Sequence, residues 1–346
     1  MKTVDTHTHL LSKTVRFDRP FDRMALQLFG RSLGMERTAL KRDPWEGYVA
    51  TLAGMVRQSR FVEKTCLFGV DGRVDRKGRE LDRDRTVCAT NEDLLEVVRR
   101  HPDCFIPFFS INPLRPDALE RMDACVEVGC RGAKFLQNYW GIDLNDERLI
   151  PYYERLGKHR LPLIIHLGSE FAITSERSLE GVKMLELPLA TGVTVIAAHM
   201  GLGQINHRLF PWRNLSRNPA WFDHDYFRLL EMLEEHPNLY ADLAAMLIPL
   251  RARALPHLAK QRQLHDKLLF GSDYPVPFLV RFNTHGLPRE TVTRLARIEN
   301  PFDRYVSVLL EFFPEKNPLW SNYRKILYEE RENPAGSKLP ATGERM

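Results

Sequence analysis

The sequence predicts an α/β protein built as a (β/α)8 TIM barrel. Three observations lead there. Eight short apolar runs recur along the chain, amphipathic stretches separate them, and polar residues close several of the runs. The runs are Val4–Leu10, Val62–Val70, Cys104–Asn112, Gly129–Leu136, Leu161–Gly168, Val193–Gly201, Leu239–Ala245 and Lys267–Tyr274. Rich in Val, Ile, Leu and Phe and without a polar face, they read as strands buried on both sides. Strands alternating with helices imply parallel βα units. A doubly wound sheet would usually carry a glycine-rich turn after its first strand; here Leu10-Leu11-Ser12 follows.

The helices are placed by their punctuation. Asn91–His101 opens with Asn91 as N-cap and acids in its first turn, and stops at Pro102. Trp221–His236 stops the same way at Pro237. Asp117–Val128 and Asp146–His159 each begin on an acid and end near a glycine or a base. Further helices are expected at Trp45–Arg60, Ser178–Thr191, Leu247–Gln263, Pro301–Phe313 and Leu319–Glu329. Two inserts, 11–43 and 71–90, follow the ends of strands one and two, the face that carries the active site of such a barrel.

At roughly 150 residues per domain, 346 residues would make two, but a single barrel also reaches this size. The expected organisation is one barrel domain over 1–330 and a polar, disordered tail over 331–346 with Pro334, Gly336, Pro340 and Gly343. A net charge of 50 − 45 = +5 gives no sign of a nucleic-acid partner, and no apolar run is long enough to span a bilayer. Polar residues interrupt the start before an apolar leader develops, so a cytoplasmic protein is expected. The five cysteines, 66, 88, 104, 125 and 130, are odd in number and irregularly spaced, as reduced core thiols are.

Of twelve histidines, His101, His159, His207, His224, His236, His257, His265 and His285 read as surface or helix-end residues. Four others stand apart. His7 and His9 are two apart on strand one, which aims both at one face, the barrel interior. His166, His199 and Asp273 close the runs of strands five, six and eight. A lone strand-end histidine is usually a satisfied core residue. Four His and one Asp on these strands point to a divalent metal, Zn²⁺ or else Mn²⁺ or Fe²⁺. Three His and an Asp would leave a position for water, whose pKa the metal lowers.

His7-Thr8-His9, His166, His199 and Phe270-Gly271-Ser272-Asp273-Tyr274-Pro275 together resemble the amidohydrolase superfamily. The branch resembled is the amidohydrolase-related group that also holds the aminocarboxymuconate-semialdehyde decarboxylase-like enzymes, and the likeness runs from Asp5 to about Leu327. It implies that His7, His9, His166 and Asp273 ligate one metal, that His199 activates or orients the water or handles protons, and that Asp273 also shuttles a proton. Lys134 closes strand four. By the resemblance it is either carboxylated and bridges a second metal, or is a cation near the metal or substrate; the plain reading is a strand-end lysine in water. Such barrels often form homodimers.

The expected function is a metal-dependent hydrolase using a metal-activated water on an amide, lactone or ester carbonyl of a small anionic substrate. The alternative is a non-oxidative, metal-dependent decarboxylase of an aromatic or unsaturated acid. A non-enzymatic binding protein on a decayed barrel would have lost a ligand, and none is lost. The inserts carry further basic residues, Arg16, Arg19, Arg23 and Arg31 in the first and six bases against five acids over Asp71–Arg85 in the second, suited to an anionic ligand or to water. Tyr139 and Trp140 after strand four either wall a pocket or pack.

Overall fold

The structure is a computed structural model and describes residues 1–14, 30, 33–35, 43–75, 77–81, 89–170, 175–205, 211–282 and 286–328. Most of the first insert with Arg16, Arg19, Arg23 and Arg31, His207, His285 and the tail 331–346 lie outside the described residues.

Each of the eight apolar runs contains a strand: β1 (Thr3–His9), β2 (Val62–Phe68), β3 (Phe105–Phe109), β4 (Gly132–Phe135), β5 (Leu163–Ile165), β6 (Val195–Ala197), β7 (Leu239–Asp242) and β8 (Leu268–Leu269). They pair in sequence order, and every pair is parallel. The chain beyond β8 then returns to β1. Thr6 N–H donates to Phe270 O at 2.9 Å, Asp273 N–H to His7 O at 2.8 Å and His9 N–H to Tyr274 O at 2.9 Å, with a parallel bridge between Thr8 and Tyr274. These bonds join the two edges of the sheet, as a (β/α)8 barrel requires.

The described helices are α1 (Pro44–Gln58), α2 (Asn91–Arg100), α3 (Ala118–Glu127), α4 (Gln137–Trp140), α5 (Ile150–Lys158), α6 (Glu186–Ala190), α7 (His224–Glu235), α8 (Pro249–Ala252), α9 (Leu255–Leu258), α10 (Arg289–Ala296), α11 (Pro301–Leu310) and α12 (Tyr323–Leu327). Asp43 caps α1, accepting from Trp45 and Glu46 N–H. The N-cap of α2 is Thr90 rather than Asn91; its hydroxyl accepts from Asp93 N–H at 3.1 Å, while the Asn91 amide donates to Ser110 O.

Proline and glycine shorten what the apolar pattern made continuous. The helix expected over Ser178–Thr191 is two 3₁₀ turns, Arg177–Leu179 and Val182–Leu185, then α6, with Gly181 at the break and Pro188 in the first turn of α6. Over Leu247–Gln263, Pro249 and Pro256 each start a separate four-residue helix, α8 and α9, because proline fits the first turn and not the interior. Of Leu319–Glu329 only α12 is helical, after a 3₁₀ turn at Pro318–Trp320. Helix α10 has no counterpart in the sequence reading.

Two apolar layers follow from strand alternation. Val4, Cys66, Phe68, Ile106, Phe108, Ile164, Ile196 and Leu269 fill the barrel, with Tyr323 and Leu327 of α12 in the same cluster. Thr65, Leu67, Ala133 and Phe135 point the other way, the apolar ones packing with the helices. By the same period, Lys134 lies between outward neighbours and His166 follows Ile164 on the inward face. The four described cysteines, Cys66, Cys104, Cys125 and Cys130, are free and buried, as expected of core thiols.

Candidate metal centre

β1 delivers its histidines through an irregular ladder. The register shifts between Asp5 and Thr8, and His7 N–H donates to Asp5 Oδ1 at 3.0 Å instead of to a neighbouring strand. Asp5 Oδ1 also accepts from Ser272 N–H at 3.0 Å, so one carboxylate ties β1 to the turn that carries Asp273. Gly271 allows the approach, because a Cβ there would stand 2.9 Å from His7 Cβ.

The outcome is a convergence of three side chains. Asp273 Oδ1 lies 3.3 Å from His7 Nε2 and 3.1 Å from His9 Nε2, and all three atoms fall within 4.8 Å of one another. His7 is fully buried and His9 is 19% exposed, so the centre opens on the His9 side. Asp273 Oδ1 is itself buried and receives no hydrogen bond of good geometry from either ring. Two imidazole nitrogens and a carboxylate oxygen placed this way fit a divalent transition metal such as Zn²⁺.

The other faces of these groups are fixed. His7 Nδ1 donates to Asp242 Oδ2 at 2.7 Å, leaving Nε2 as the lone-pair nitrogen that faces Asp273. Asp242 Oδ1 accepts from His199 N–H at 3.0 Å and Ala244 N–H at 3.1 Å. Asp242 was missed by the sequence reading, although it ends the run Leu239-Tyr240-Ala241 as Asp273 ends its own.

His199 stands beside the triad, its ring centroid 5.1 Å from that of His7 and its Nδ1 3.9 Å from Asp273 Oδ2. Its Nδ1–H donates to Ala244 O at 3.0 Å, so Nε2 carries the lone pair. Burial, reinforced by the Arg251 cation, holds its pKa well below the usual histidine range, and the ring is neutral. Burial alone would raise the Asp273 carboxyl, but the His7 ring and the contacts from His7 and His9 outweigh it and hold its pKa well below the usual carboxylate range. Both His199 and Asp273 sit in the left-handed region, at φ +63° and +64°. A non-glycine residue there costs roughly 1–3 kcal/mol, which the surrounding bonds have to hold in place.

His166 is near but not in the triad. Its ring centroid is 4.9 Å from that of His199, and its Nε2 donates to Gly168 O at 3.0 Å. Lys134 is completely buried, which excludes the reading of a strand-end lysine in water. Its Nζ is 3.4 Å from His7 Nε2 and 5.4 Å above the Phe68 ring, and burial pushes its pKa down to about 8.

A sequence profile described as amidohydrolase matches residues 4–279. The chain belongs to the amidohydrolase family. Solved structures similar to this amidohydrolase are distant in sequence. An uncharacterized TIM-barrel protein from Bordetella bronchiseptica is 19% identical, with a TM-score of 0.54 over 90% of this chain and 99% of its own. A probable 2-pyrone-4,6-dicarboxylic acid hydrolase from Acinetobacter baumannii, with citric acid bound, is 14% identical, with a TM-score of 0.51 over 94% and 99%. A 2,6-dihydroxybenzoate decarboxylase from Rhizobium is 17% identical, with a TM-score of 0.51 over 94% and 98%. No curated protein gives a significant match. The likeness shows the fold that this amidohydrolase shares with them.

The remaining expectations resolve into packing. His265, read as a surface residue, is buried between Asn317, which bonds its Nδ1 at 2.7 Å, and Leu258 O. Trp140 is buried against Phe135 and donates to Asp71 O at 2.7 Å, so it anchors the second insert. From the segment after β3, Arg115 reaches Asp71 and Glu80 of that insert, at 2.6 and 2.8 Å. Among the described residues no helix is long and apolar enough to cross a membrane.

Proposed function

We propose that the protein is a metal-dependent hydrolase acting with an activated water on the amide, lactone or ester carbonyl of a small anionic substrate. The reading is carried by the convergence of His7 Nε2, His9 Nε2 and the hydrogen-bond-free Asp273 Oδ1. In it these three residues hold one divalent ion, zinc in preference to manganese or iron, and His166 joins them by giving up its bond to Gly168 O. When bound, the ion polarises the substrate carbonyl and lowers the pKa of water.

The protein's own residues manage the protons. Asp273 Oδ2, on the His199 side, takes a proton from water as the new C–O bond forms. His199 Nε2, fixed by the bond from Nδ1–H to Ala244 O, is the second acceptor on the same side. The proton returns to the leaving nitrogen or oxygen as its bond to the carbonyl carbon breaks. Lys134 acts as a buried cation beside His7 and needs no modification for this role. Hydrolysis asks for proton acceptors first, and Asp273 Oδ2 and the lone-pair Nε2 of His199, fixed by the bond from Nδ1–H to Ala244 O, are placed as such acceptors, which favours the hydrolase reading.

The test begins with elemental analysis of protein purified without added metal and intact mass under mild conditions. About one zinc per chain and no added carbon dioxide mass is the expected result. Two metals with a carbamate mass would place Lys134 among the ligands. A panel of lactones, esters and amides, set beside carboxylated aromatics, then follows. Hydrolysis that is lost in the His7→Ala/His9→Ala double variant supports the reading, and carbon dioxide release without hydrolysis replaces it with a decarboxylase.

A further inference from the structure

Cys125 and Cys130 are brought together by the way α3 ends. Gly129, at φ +98°, takes the left-handed conformation that closes the helix. Its N–H donates to Val126 O at 3.0 Å, and Cys130 N–H reaches back past it to Cys125 O at 2.9 Å. These two bonds make a Schellman motif, in which the residue after the glycine packs against the last helical turn. The usual occupants of that contact are apolar; here both are cysteine. With standard backbone dimensions, the 2.9 Å bond keeps the two Cα atoms within about 7 Å, the span that a disulfide can bridge. The thiols themselves meet, with the Cys130 S–H donating to Cys125 Sγ, and both are free.

The other described cysteines are unlike this pair. Cys66 fills the barrel, and burial pushes its thiol well above the usual range. The Cys104 thiol donates to Ala53 O at 3.6 Å, and burial pushes it up to about 11. At Cys125 the bond from Cys130 outweighs burial and lowers the thiol, which favours the reactive thiolate. The same bond, and burial with it, pushes the Cys130 thiol up. Exposure follows the same order, 7% for Cys125 and 1% for Cys130. One sulfur is therefore the reachable nucleophile and the other stands behind it. So narrow an opening admits an oxidant of two oxygen atoms more readily than a bulky disulfide. The pair precedes β4, whereas Lys134 stands near the other end of that strand, so it lies at the end of the barrel opposite the metal centre.

We propose that Cys125 and Cys130 form a reversible oxidation site, at which hydrogen peroxide converts the two thiols into a disulfide that staples the end of α3 to the turn before β4. The Cys125 thiolate attacks one oxygen of the peroxide. The O–O bond breaks, Cys125 becomes a sulfenic acid, and the hydroxide that leaves takes up the proton lost by the thiol, giving water. The Cys130 sulfur then attacks Cys125 Sγ. The S–O bond breaks, and the sulfenic hydroxyl leaves with the Cys130 proton as a second water. Two thiols and one peroxide thus give one disulfide and two waters, and a dithiol reductant reverses the bond by exchange. The site is independent of the reaction at the metal centre.

The test uses the full chain, reduced, exposed in its folded state to dilute hydrogen peroxide, then unfolded, alkylated and digested with trypsin. Cys125 and Cys130 fall on one peptide, Met122–Arg131, while Cys66, Cys88 and Cys104 each fall on another, so mass spectrometry reads the pair without ambiguity. The Met122–Arg131 peptide is expected to lose two hydrogens and escape alkylation at least about tenfold faster than Cys66 or Cys104 becomes unreactive. Dithiothreitol is expected to restore both thiols. Cys130→Ser should leave Cys125 as a sulfenic acid that dimedone captures, and Cys125→Ser should leave Cys130 open to alkylation. Where either variant fails to fold, the wild-type peptide decides the matter alone. Both thiols still alkylated after Cys66 or Cys104 has been oxidised overturns the proposal. So does Cys125 joined to a cysteine of another peptide, or a folded Cys125→Ser protein in which Cys130 is oxidised as fast as in the wild type.

Discussion

Asp242 Oδ2 accepts from His7 Nδ1–H at 2.7 Å, so the carboxylate that closes β7 decides which nitrogen of a β1 histidine faces Asp273. Its other oxygen holds the backbone of His199. Asp242→Ala is expected to weaken zinc binding by roughly 10–100-fold, measured by competition with a chromophoric chelator. An affinity equal to that of the wild type would show that His7 needs no outer partner.

Metal binding is also expected to act on stability. An ion that binds the native state a thousandfold above its Kd stabilises by about 4 kcal/mol. Zinc removal by dipicolinate should lower the thermal midpoint and abolish turnover, and added zinc should restore both. His9→Ala should show the lowered midpoint whether or not zinc is present.

Lys134 gives a pH dependence whose sign can be worked out. Burial pushes its pKa from 10.5 down to about 8. Between these values the unfolded chain binds more protons than the folded one, so stability rises as pH climbs from about 8 to about 10.5. At neutral pH the full penalty applies. Metal-stripped Lys134→Met is expected to be more stable than metal-stripped wild type near pH 7, by up to about 3 kcal/mol. The gap should close above pH 10 in urea unfolding. A gap independent of pH would show that the ammonium is not what the fold is penalised for.

Gly271→Ala would press a methyl group on His7 Cβ, 2.9 Å away, and on Ala244 Cβ, 3.3 Å away. Overpacking of this kind costs roughly 1–3 kcal/mol. Because the displaced partner is a proposed ligand, zinc affinity is expected to fall with stability. A loss of stability alone would mean that β1 yields without moving the His7 ring.

The sequence carried the strands more fully than the helices, and the reason is local. A buried strand needs only a short apolar run, and all eight runs contain one. Helix continuity depends on single residues such as Pro249, Pro256 and Gly181, which cut two expected helices into short pieces. At the site, His7 and His9 were legible because two-residue spacing aims both inward. His166 was expected to be a ligand; its strand position is as read, but the turn beyond β5 occupies its Nε2 with Gly168 O. Asp242 was not singled out, because it follows a three-residue apolar run too ordinary to attract notice. His265 erred in the opposite direction, since its burial is made by Asn317, distant in sequence.

The closing bonds of the sheet have a consequence for biosynthesis. Asp273 N–H reaches His7 O, and Thr6 N–H reaches Phe270 O. A ribosome-held chain that has emerged only through β7 has both β1 histidines exposed to the cell but neither the strand edge that steadies them nor the carboxylate that faces them. Such a nascent chain offers scattered imidazoles rather than a socket. In the proposed metal-dependent reading, loading is therefore a late event, gated by the arrival of the eighth strand.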